Sequence, residues 1–292
     1  MFPAARYMEI KTLTVVGAGI MGRGIAQVAA MGGYDVTLVD TEEKILQNAY
    51  QIIQKNLQKG VELGKVSPEL QAASIDRLNT TTDRALAASK SDFVIEAVPE
   101  IISLKMEIFQ DLDRHCPPHA ILATNTSGLS ITEIAASTRR PDKVIGMHFF
   151  NPVHLMKLIE IVRGLETSND TVAASETVAA RMNKETVEVN EFPGLVTSRI
   201  NAMIGNEAFY MLQEGVASAE NIDKAIKLGL NHPMGPLELG DLVGLDARLR
   251  VLEHLHATLG EKYRPCPLMV KYVKAGRLGR KTGQGVYDYS SK

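Results

Sequence analysis

The chain has few of the features that mark several protein classes. Only two of its 292 residues are cysteines, and Cys116 and Cys266 lie far apart beside prolines, in no metal or redox motif. We expect two free thiols of a reducing compartment and no metal site. Lys and Arg number 32 against 34 Asp and Glu, which leaves no charge excess to favour nucleic acid or a membrane surface as partner. No apolar run approaches the roughly 18 residues that span a bilayer.

Other absences concern targeting and sequence complexity. The stretch from Met1 to Lys11 has one arginine and no apolar segment, so we expect no secretory signal and a cytoplasmic protein. The chain contains no internal repeat and no low-complexity tract. Its 45% hydrophobic and 23% charged residues are ordinary globular values, which exclude a disordered or fibrous protein. The length favours two domains.

The pattern of short apolar runs changes along the chain. In the first part, β-branched runs alternate with helical patterns, which is typical of a parallel sheet with crossover helices. After Glu191 these runs disappear and helical pattern continues almost to the end. We therefore predict an α/β domain with a doubly wound sheet in residues 1–190 and an all-helical domain in residues 191–292. The predicted strands are Thr12–Val16, Val36–Val39, Phe93–Ala97, Ala120–Thr124, Val144–Phe149, Lys157–Val162 and Thr186–Val189.

A glycine-rich turn follows the first predicted strand and opens a helix. It fits the pattern G-x-G-x-x-G with Gly17, Ala18, Gly19, Ile20, Met21 and Gly22. In a Rossmann-type domain the first glycine permits the tight turn, the second lets the backbone approach a pyrophosphate, and the third allows close helix–strand packing. The second strand ends in Asp40, placed to accept hydrogen bonds from ribose hydroxyls and to repel the 2′-phosphate of NADP. This combination predicts an NAD site.

A structural alternative exists for the same residues. The glycines also suit an ordinary strand–helix turn. Asp40 also suits a helix N-cap, with Glu43 three residues later completing a capping box. Asp40 could serve both purposes, but the order of strand, helix, second strand and terminal acid favours the cofactor site.

A nicotinamide cofactor implies hydride transfer, and oxidation of an alcohol then needs a base for the hydroxyl proton. His148 lies near the end of a predicted strand, just before Asn151-Pro152, where ligands of α/β sheets gather. Glu160 stands 12 residues later in an otherwise apolar strand. If the strands are neighbours, Glu160 orients the imidazole and stabilises its charged form. The alternative is a structural histidine and an exposed glutamate at a strand end.

The chain resembles the 3-hydroxyacyl-CoA dehydrogenase family, and most closely its short bacterial members, the 3-hydroxybutyryl-CoA dehydrogenases. The resemblance runs from about Thr12 to Tyr289 and favours the catalytic interpretation of His148 and Glu160. The stretches that carry it are VVGAGIMGRGIAQVAA, FVIEAVPE, TNTSGLSIT, GMHFFNPVHLMKLIEIV, PGLVTSRI, LGLNHPMGPLEL, DLVGLD and GRLGRKTGQGVYDY.

The resemblance also implies roles for single residues. Ser127, of the family's N-T-S motif, would hydrogen-bond the reacting oxygen of the substrate. Four residues match positions that contact the cofactor: Glu100, Lys105, Asn151 and Lys281. Each has a structural alternative, such as a helix cap for Glu100 and a solvated surface position for Lys105 and Lys281.

The chain also departs from the family pattern. Many members have an asparagine that contacts substrate in the motif P-G-F-x-x-N-R, where this chain has Ser198. Relatives bind CoA with a serine and a lysine in the helical region after the second strand, where this chain has Asn56 and Leu63. Lys55, Lys59 and Lys65 are alternative sources of charge for the CoA phosphates, and the sequence does not distinguish between them.

Taken with the resemblance, these features predict an oxidoreductase of fatty acid metabolism. It would interconvert (S)-3-hydroxyacyl-CoA, of short chain, and 3-ketoacyl-CoA with NAD bound in a cleft between the two domains. The apolar helix from Leu195 to Leu212 and the family resemblance suggest a homodimer through the C-terminal domain, which would also contact substrate. Two alternatives are an NAD-dependent dehydrogenase of sugar acids such as L-gulonate and a non-catalytic NAD-binding protein.

Overall fold

The computed structural model describes residues 9–290 of the chain. Residues 1–8 lie outside that part, and with them most of the stretch for which no secretory signal is expected. The chain divides into two compact units, of which the first ends at Glu191 and the second begins at Phe192. Within residues 9–290, no helix is both long and apolar enough to cross a membrane.

The first unit is built on an eight-stranded sheet with the order β3-β2-β1-β4-β5-β6-β7-β8. All neighbouring strands pair in parallel except β6 and β7, which are antiparallel. The predicted Rossmann-type sheet is confirmed, and each predicted strand is present with ends within one residue of those expected. The strands are β1 Thr12–Val16, β2 Asp35–Val39, β3 Leu78–Thr81, β4 Phe93–Glu96, β5 Ile121–Thr124, β6 Val144–Phe149, β7 Leu158–Arg163 and β8 Glu185–Asn190.

Strand β3 is absent from the predicted strands. Its four residues are Leu-Asn-Thr-Thr, and only Leu78 is buried, so the strand has neither an apolar run nor clear alternation. It forms because it lies at the edge of the sheet, where pairing with β2 suffices. The formation of such an edge strand depends on pairing with the neighbouring strand rather than on its own sequence pattern.

Seven α-helices accompany this sheet within the described residues, and six of them form two groups of neighbours. Helices α1, α2 and α3 contact one another, and α5 contacts both α4 and α6. Ser67, Asp83, Ser130 and Ser168 accept main-chain N–H bonds as N-caps of α3, α4, α6 and α7, which explains where these helices begin. The helices are α1 Ile20–Met31, α2 Glu43–Glu62, α3 Pro68–Asp76, α4 Arg84–Ala88, α5 Ile102–His115, α6 Ile131–Ala136 and α7 Asn169–Arg181.

The second unit is helical, as predicted. Helix α8 begins at Thr197, two residues later than expected, because Gly194 and Leu195 both have positive φ angles that an α-helix excludes. The buried carboxylate of Asp241 accepts the N–H groups of Val286 and Tyr287 and so holds the irregular C-terminal segment. The helices are α8 Thr197–Gln213, α9 Ala219–Gly229, α10 Pro236–Val243, α11 Leu245–Leu259 and α12 Pro267–Lys274.

Both cysteines are free and buried, as expected of structural thiols. Burial raises the pKa of the Cys116 thiol to about 12, and it also raises the pKa of Cys266. Because the thiolate is the nucleophile, neither side chain is suited to nucleophilic chemistry at neutral pH.

Candidate active site

The glycine turn after β1 contains two kinds of glycine. Gly17 has a φ of +99°, and a Cβ there would lie 2.7 Å from the carbonyl oxygen of Ala97. A Cβ on Gly22 would lie 1.7 Å from the carbonyl oxygen of Gly17. A Cβ on Gly19, at the N-cap of α1, would meet no atom within 4 Å. Packing therefore explains the first and third glycines, whereas Gly19 keeps a helix N-terminus open to the close approach of a phosphate.

Asp40 follows β2 and lies against this turn. Its Oδ2 accepts the N–H of Ala18 at 2.7 Å, and its Oδ1 accepts the N–H of Thr41 at 2.8 Å. Helix α2 begins at Glu43 with Glu42 as its N-cap, so the alternative in which Asp40 caps that helix is wrong. Oδ1 also accepts the Thr41 hydroxyl at 3.4 Å, whereas Oδ2 retains a lone pair, and the half-buried side chain suits a ribose hydroxyl.

The strand order places these groups where such a sheet binds ligands. Strands β1 and β4 are neighbours, whereas the chain continues from β1 to β2 on the other side, so the order reverses between β1 and β4. Ligands of doubly wound sheets bind outside the carboxyl ends of the strands at such a point. The glycine turn, Asp40, Glu96 and His148 all stand at that edge.

His148 and Glu160 are direct partners across the antiparallel pair β6 and β7. The imidazole Nδ1 lies 2.7 Å from the Glu160 Oε2, and the glutamate side chain is completely buried. The alternative of an exposed glutamate at a strand end is therefore wrong. Bonding at Nδ1 selects the tautomer and leaves Nε2 as the nitrogen that can exchange a proton. The Phe150 ring, centred 4.5 Å from the imidazole, covers one side of it.

The segment after β5 carries the motif serine. Glu100 Oε1 accepts the N–H of Ser127 at 2.9 Å, its hydroxyl at 3.3 Å and the hydroxyl of Thr126 at 2.5 Å. Ser127 and Glu100 are both exposed at the carboxyl edge of the sheet. Their side chains are therefore available to a ligand, while the hydrogen bonds hold the serine backbone in place.

Lys105, on α5, lies beneath Glu100 and has no exposed side-chain surface. Its Nζ donates to Glu96 Oε1 at 2.7 Å and lies 3.5 Å from Glu100 Oε2. The alternative of a solvated helix residue is therefore wrong. Glu96 is not among the residues predicted from the sequence. It is fully buried at the end of β4 and also accepts the Thr124 hydroxyl at 2.6 Å. An acid within the apolar strand FVIE is the same signal that drew attention to Glu160.

Two asparagines lie near the histidine. Asn125 Oδ1 accepts the N–H of Phe149 at 2.9 Å and so ties the segment that carries Ser127 to the end of β6. Asn151 follows β6 and is exposed, available to a ligand at the same edge.

Ser198 and Lys281 lie in the second unit. Ser198 is half-buried in the first turn of α8. Lys281 Nζ donates to Asp246 Oδ1 at 2.5 Å, and this bond lowers the pKa of that carboxyl group. The described residues 9–290 contain no group of three or more His, Cys, Asp or Glu side chains that could hold a metal ion.

Comparison with known families gives two matches that together cover most of the chain. Residues 12–192 match the NAD binding domain of 3-hydroxyacyl-CoA dehydrogenase. Residues 194–289 match the C-terminal domain of the same enzymes.

Individual relatives agree over nearly the full length. A probable 3-hydroxybutyryl-CoA dehydrogenase of Bacillus subtilis is 50% identical over 98% of this chain and 99% of its own length. A 3-hydroxybutyryl-CoA dehydrogenase of Bradyrhizobium diazoefficiens is 45% identical over 96% of both chains. The crystal structure of (S)-3-hydroxybutyryl-CoA dehydrogenase from Ralstonia eutropha is 44% identical with a TM-score of 0.93, covering 96% of this chain and 99% of the other.

Proposed function

The chain belongs to the 3-hydroxyacyl-CoA dehydrogenase family and is an NAD-dependent dehydrogenase, and from this premise we propose that it interconverts (S)-3-hydroxybutyryl-CoA and acetoacetyl-CoA. The observation that carries the proposal is the buried hydrogen bond from His148 to Glu160 at the carboxyl edge of the NAD-binding sheet. Such a pair supplies the base that alcohol oxidation requires. The names of the relatives favour the four-carbon thioester.

In the proposed mechanism, bound NAD would supply the acceptor for the hydride that leaves C3 of the substrate. The Nε2 of His148 removes the proton of the 3-hydroxyl group. Glu160 accepts a hydrogen bond from Nδ1 and stabilises the imidazolium that results. The hydroxyl of Ser127 would turn from Glu100 Oε1, its acceptor at 3.3 Å, to donate to the reacting oxygen, while Glu100 still holds the serine N–H. In the reverse direction the imidazolium protonates the oxygen of the ketone as it becomes an alcohol.

The glycine turn would bind the cofactor pyrophosphate, and Asp40 its adenosine ribose. We propose that Glu100, Asn151 and Lys281 contact the cofactor and that Ser198 contacts the substrate. Lys105 has no exposed side-chain surface, so we assign it to the cofactor site indirectly, through its ion pair with Glu100.

The test is the consumption of NADH with acetoacetyl-CoA, run beside free acetoacetate and beside NADPH. We expect rapid turnover only with the thioester and NADH, because the Asp40 carboxylate would repel the extra phosphate of NADPH. Turnover of a free sugar acid instead would support the L-gulonate-type alternative. NADH binding without turnover of any 3-hydroxyacyl substrate would support the non-catalytic alternative.

We further propose that two copies of the chain pair through the second unit. Several large apolar side chains of this unit are exposed. Leu228 is 76% exposed and Leu230 is 63% exposed. Leu230 also lines a groove with Met203, Met211 and Ile226. Exposed apolar surface of this kind marks protein interfaces.

We expect the protein to sediment as a dimer, at twice the 31.9 kDa of the chain, and Leu230→Glu to shift it towards the monomer. Sedimentation velocity measures both. A wild-type protein that stays monomeric at micromolar concentration contradicts the dimer.

A further inference from the structure

One oxygen of the Glu100 carboxylate has more hydrogen-bond donors around it than it has lone pairs. Its Oε1 lies 2.5 Å from the hydroxyl oxygen of Thr126, 2.9 Å from the main-chain nitrogen of Ser127 and 3.3 Å from the hydroxyl oxygen of Ser127. Its Oε2 lies 3.5 Å from the ammonium group of Lys105. Because a carboxylate oxygen offers about two lone pairs, the three donors at Oε1 compete for them.

The three distances show which donor is held least. Hydrogen bonds between oxygen atoms usually measure about 2.5–3.0 Å, so the bond from Thr126 is short and that from the Ser127 hydroxyl is long. The Thr126 hydroxyl and the Ser127 N–H therefore occupy the lone pairs of Oε1. The hydroxyl of the exposed Ser127 is bound weakly and can turn to a ligand.

The hydroxyl of Thr126 has a fixed direction. The side chain of Thr126 is buried, with 2% of the residue exposed, and so does not reach a ligand itself. Its Oγ1 accepts the main-chain N–H groups of Gly128 at 3.2 Å and Leu129 at 2.9 Å. These two donors use both lone pairs of the hydroxyl oxygen, so its hydrogen is directed to Glu100.

Other contacts hold the same segment independently of Thr126. The N–H of Asn125 donates to the main-chain oxygen of Glu96 at 2.7 Å, and its Oδ1 accepts the N–H of Phe149 at 2.9 Å. After the segment, Ser130 caps helix α6 through the N–H of Glu133. We therefore expect the loss of the Thr126 hydroxyl to act locally, on Glu100 and Ser127.

We propose that Thr126 is a positioning residue whose hydroxyl occupies Glu100 Oε1 and thereby leaves the Ser127 hydroxyl free to donate to the reacting oxygen of the substrate. The inference rests on the proposed function, in which Ser127 makes that hydrogen bond. Without the Thr126 hydroxyl, the Ser127 hydroxyl takes the freed lone pair. It must then give up a hydrogen bond to a charged acceptor, about twice as strong as one to a neutral group, before it can donate to substrate.

The first test is T126V, which keeps the shape of the side chain and removes its hydroxyl. We expect kcat with acetoacetyl-CoA and NADH to fall roughly 10-fold, since the serine must break a charge-assisted bond in each turnover. The KM for NADH should stay near the wild-type value, because Glu100 keeps Lys105 and the Ser127 N–H. T126S restores the hydroxyl and should restore kcat.

Thr167 supplies a matched control in the same unit. Its buried hydroxyl also donates once and accepts a main-chain N–H, from Gly164 at 3.0 Å, while it donates to the oxygen of Val144 at 2.7 Å. Val144 begins β6, at the opposite end of that strand from His148. T167V should therefore lower Tm about as much as T126V does and leave kcat unchanged.

A double-mutant cycle shows whether Thr126 acts through the serine. In the S127A background there is no serine hydroxyl to release, so T126V/S127A should have the same kcat as S127A. A purely structural role of Thr126 would lower kcat further in that background. A further loss of roughly 10-fold in the double variant would overturn the inference.

Crystal structures separate this inference from the proposed function. In T126V we expect the Ser127 Oγ to approach Glu100 Oε1 to about 2.8 Å, the usual length of such a bond. A wild-type enzyme that does not turn over acetoacetyl-CoA would contradict the proposed function, whereas the shorter distance in T126V would still show that Thr126 keeps the serine hydroxyl free. A T126V structure in which Ser127 Oγ stays 3.3 Å or more from Glu100 Oε1 overturns the inference.

Discussion

His148→Gln is expected to lower kcat by at least roughly 10²–10⁴-fold, the range that a general base typically supplies. Glutamine keeps a polar side chain of similar reach and can still hydrogen-bond Glu160, but its amide does not take up a proton at neutral pH. The loss should therefore appear in kcat with acetoacetyl-CoA while NADH affinity, followed by the fluorescence of the bound nicotinamide, changes little.

The chain offers a matched control for this variant. His119 Nε2 lies 3.0 Å from Asp92 Oδ1, so the same unit contains a second histidine–carboxylate pair. That pair stands before β4 and β5, at the amino ends of the strands and away from the glycine turn. His119→Gln should leave kcat unchanged. A His148→Gln enzyme with activity near the wild type would end the assignment of His148 as the base.

Lys105→Met is expected to lower the free energy of unfolding strongly, because it leaves the fully buried Glu96 carboxylate without its cation. Removing one partner of a buried ion pair typically costs about 3–5 kcal/mol, and for a unit of this size that lowers Tm by roughly 10 °C. Thermal unfolding followed by circular dichroism measures this loss. Lys90→Met, at an exposed site before β4, is the matched control and should change Tm little.

The double variant E96Q/K105M separates stability from the role at the cofactor site. Neutralising both partners removes the unpaired charge, so the double variant should recover most of the Tm that Lys105→Met loses. Glu100 lacks the ammonium group that lies 3.5 Å from its Oε2 in both variants, so we expect both to have a raised KM for NADH. Unfolding of Lys105→Met at the wild-type temperature would contradict the structural role. A double variant with a normal KM would contradict the role at the cofactor site.

Local patterns were sufficient to predict the glycine turn and the position of Asp40 after β2. The glycine turn and Asp40 depend on the conformation of neighbouring residues and on strands whose period is visible in the sequence. Packing requires glycine at Gly17 and Gly22, whereas a Cβ on Gly19 would meet no atom within 4 Å. The same patterns did not show whether Asp40 caps a helix, because the start of α2 depends on how the chain leaves β2.

Local patterns could not predict which distant polar residues pair in the fold. The spacing of His148 and Glu160 allowed a hydrogen bond only if their strands were neighbours, and the antiparallel register of β6 and β7 decided that they are. Lys105 has the sequence context of a surface helix residue. Its complete burial follows from the packing of α5 over Glu96. The local hydrophobic periodicity of the sequence does not show this packing.

The sequence by itself determined seven of the eight strands, the helical second unit, the glycine turn after β1 and the family. Each of these depends on the character of residues close together in the chain. The tertiary structure alone decided which polar groups meet: Glu160 with His148, Glu96 with Lys105, and Lys184 with the main-chain oxygens of Val153 and Met156. The physical reason is that burial and pairing of charge depend on the elements that fold against a residue, and these come from parts of the chain far away in sequence.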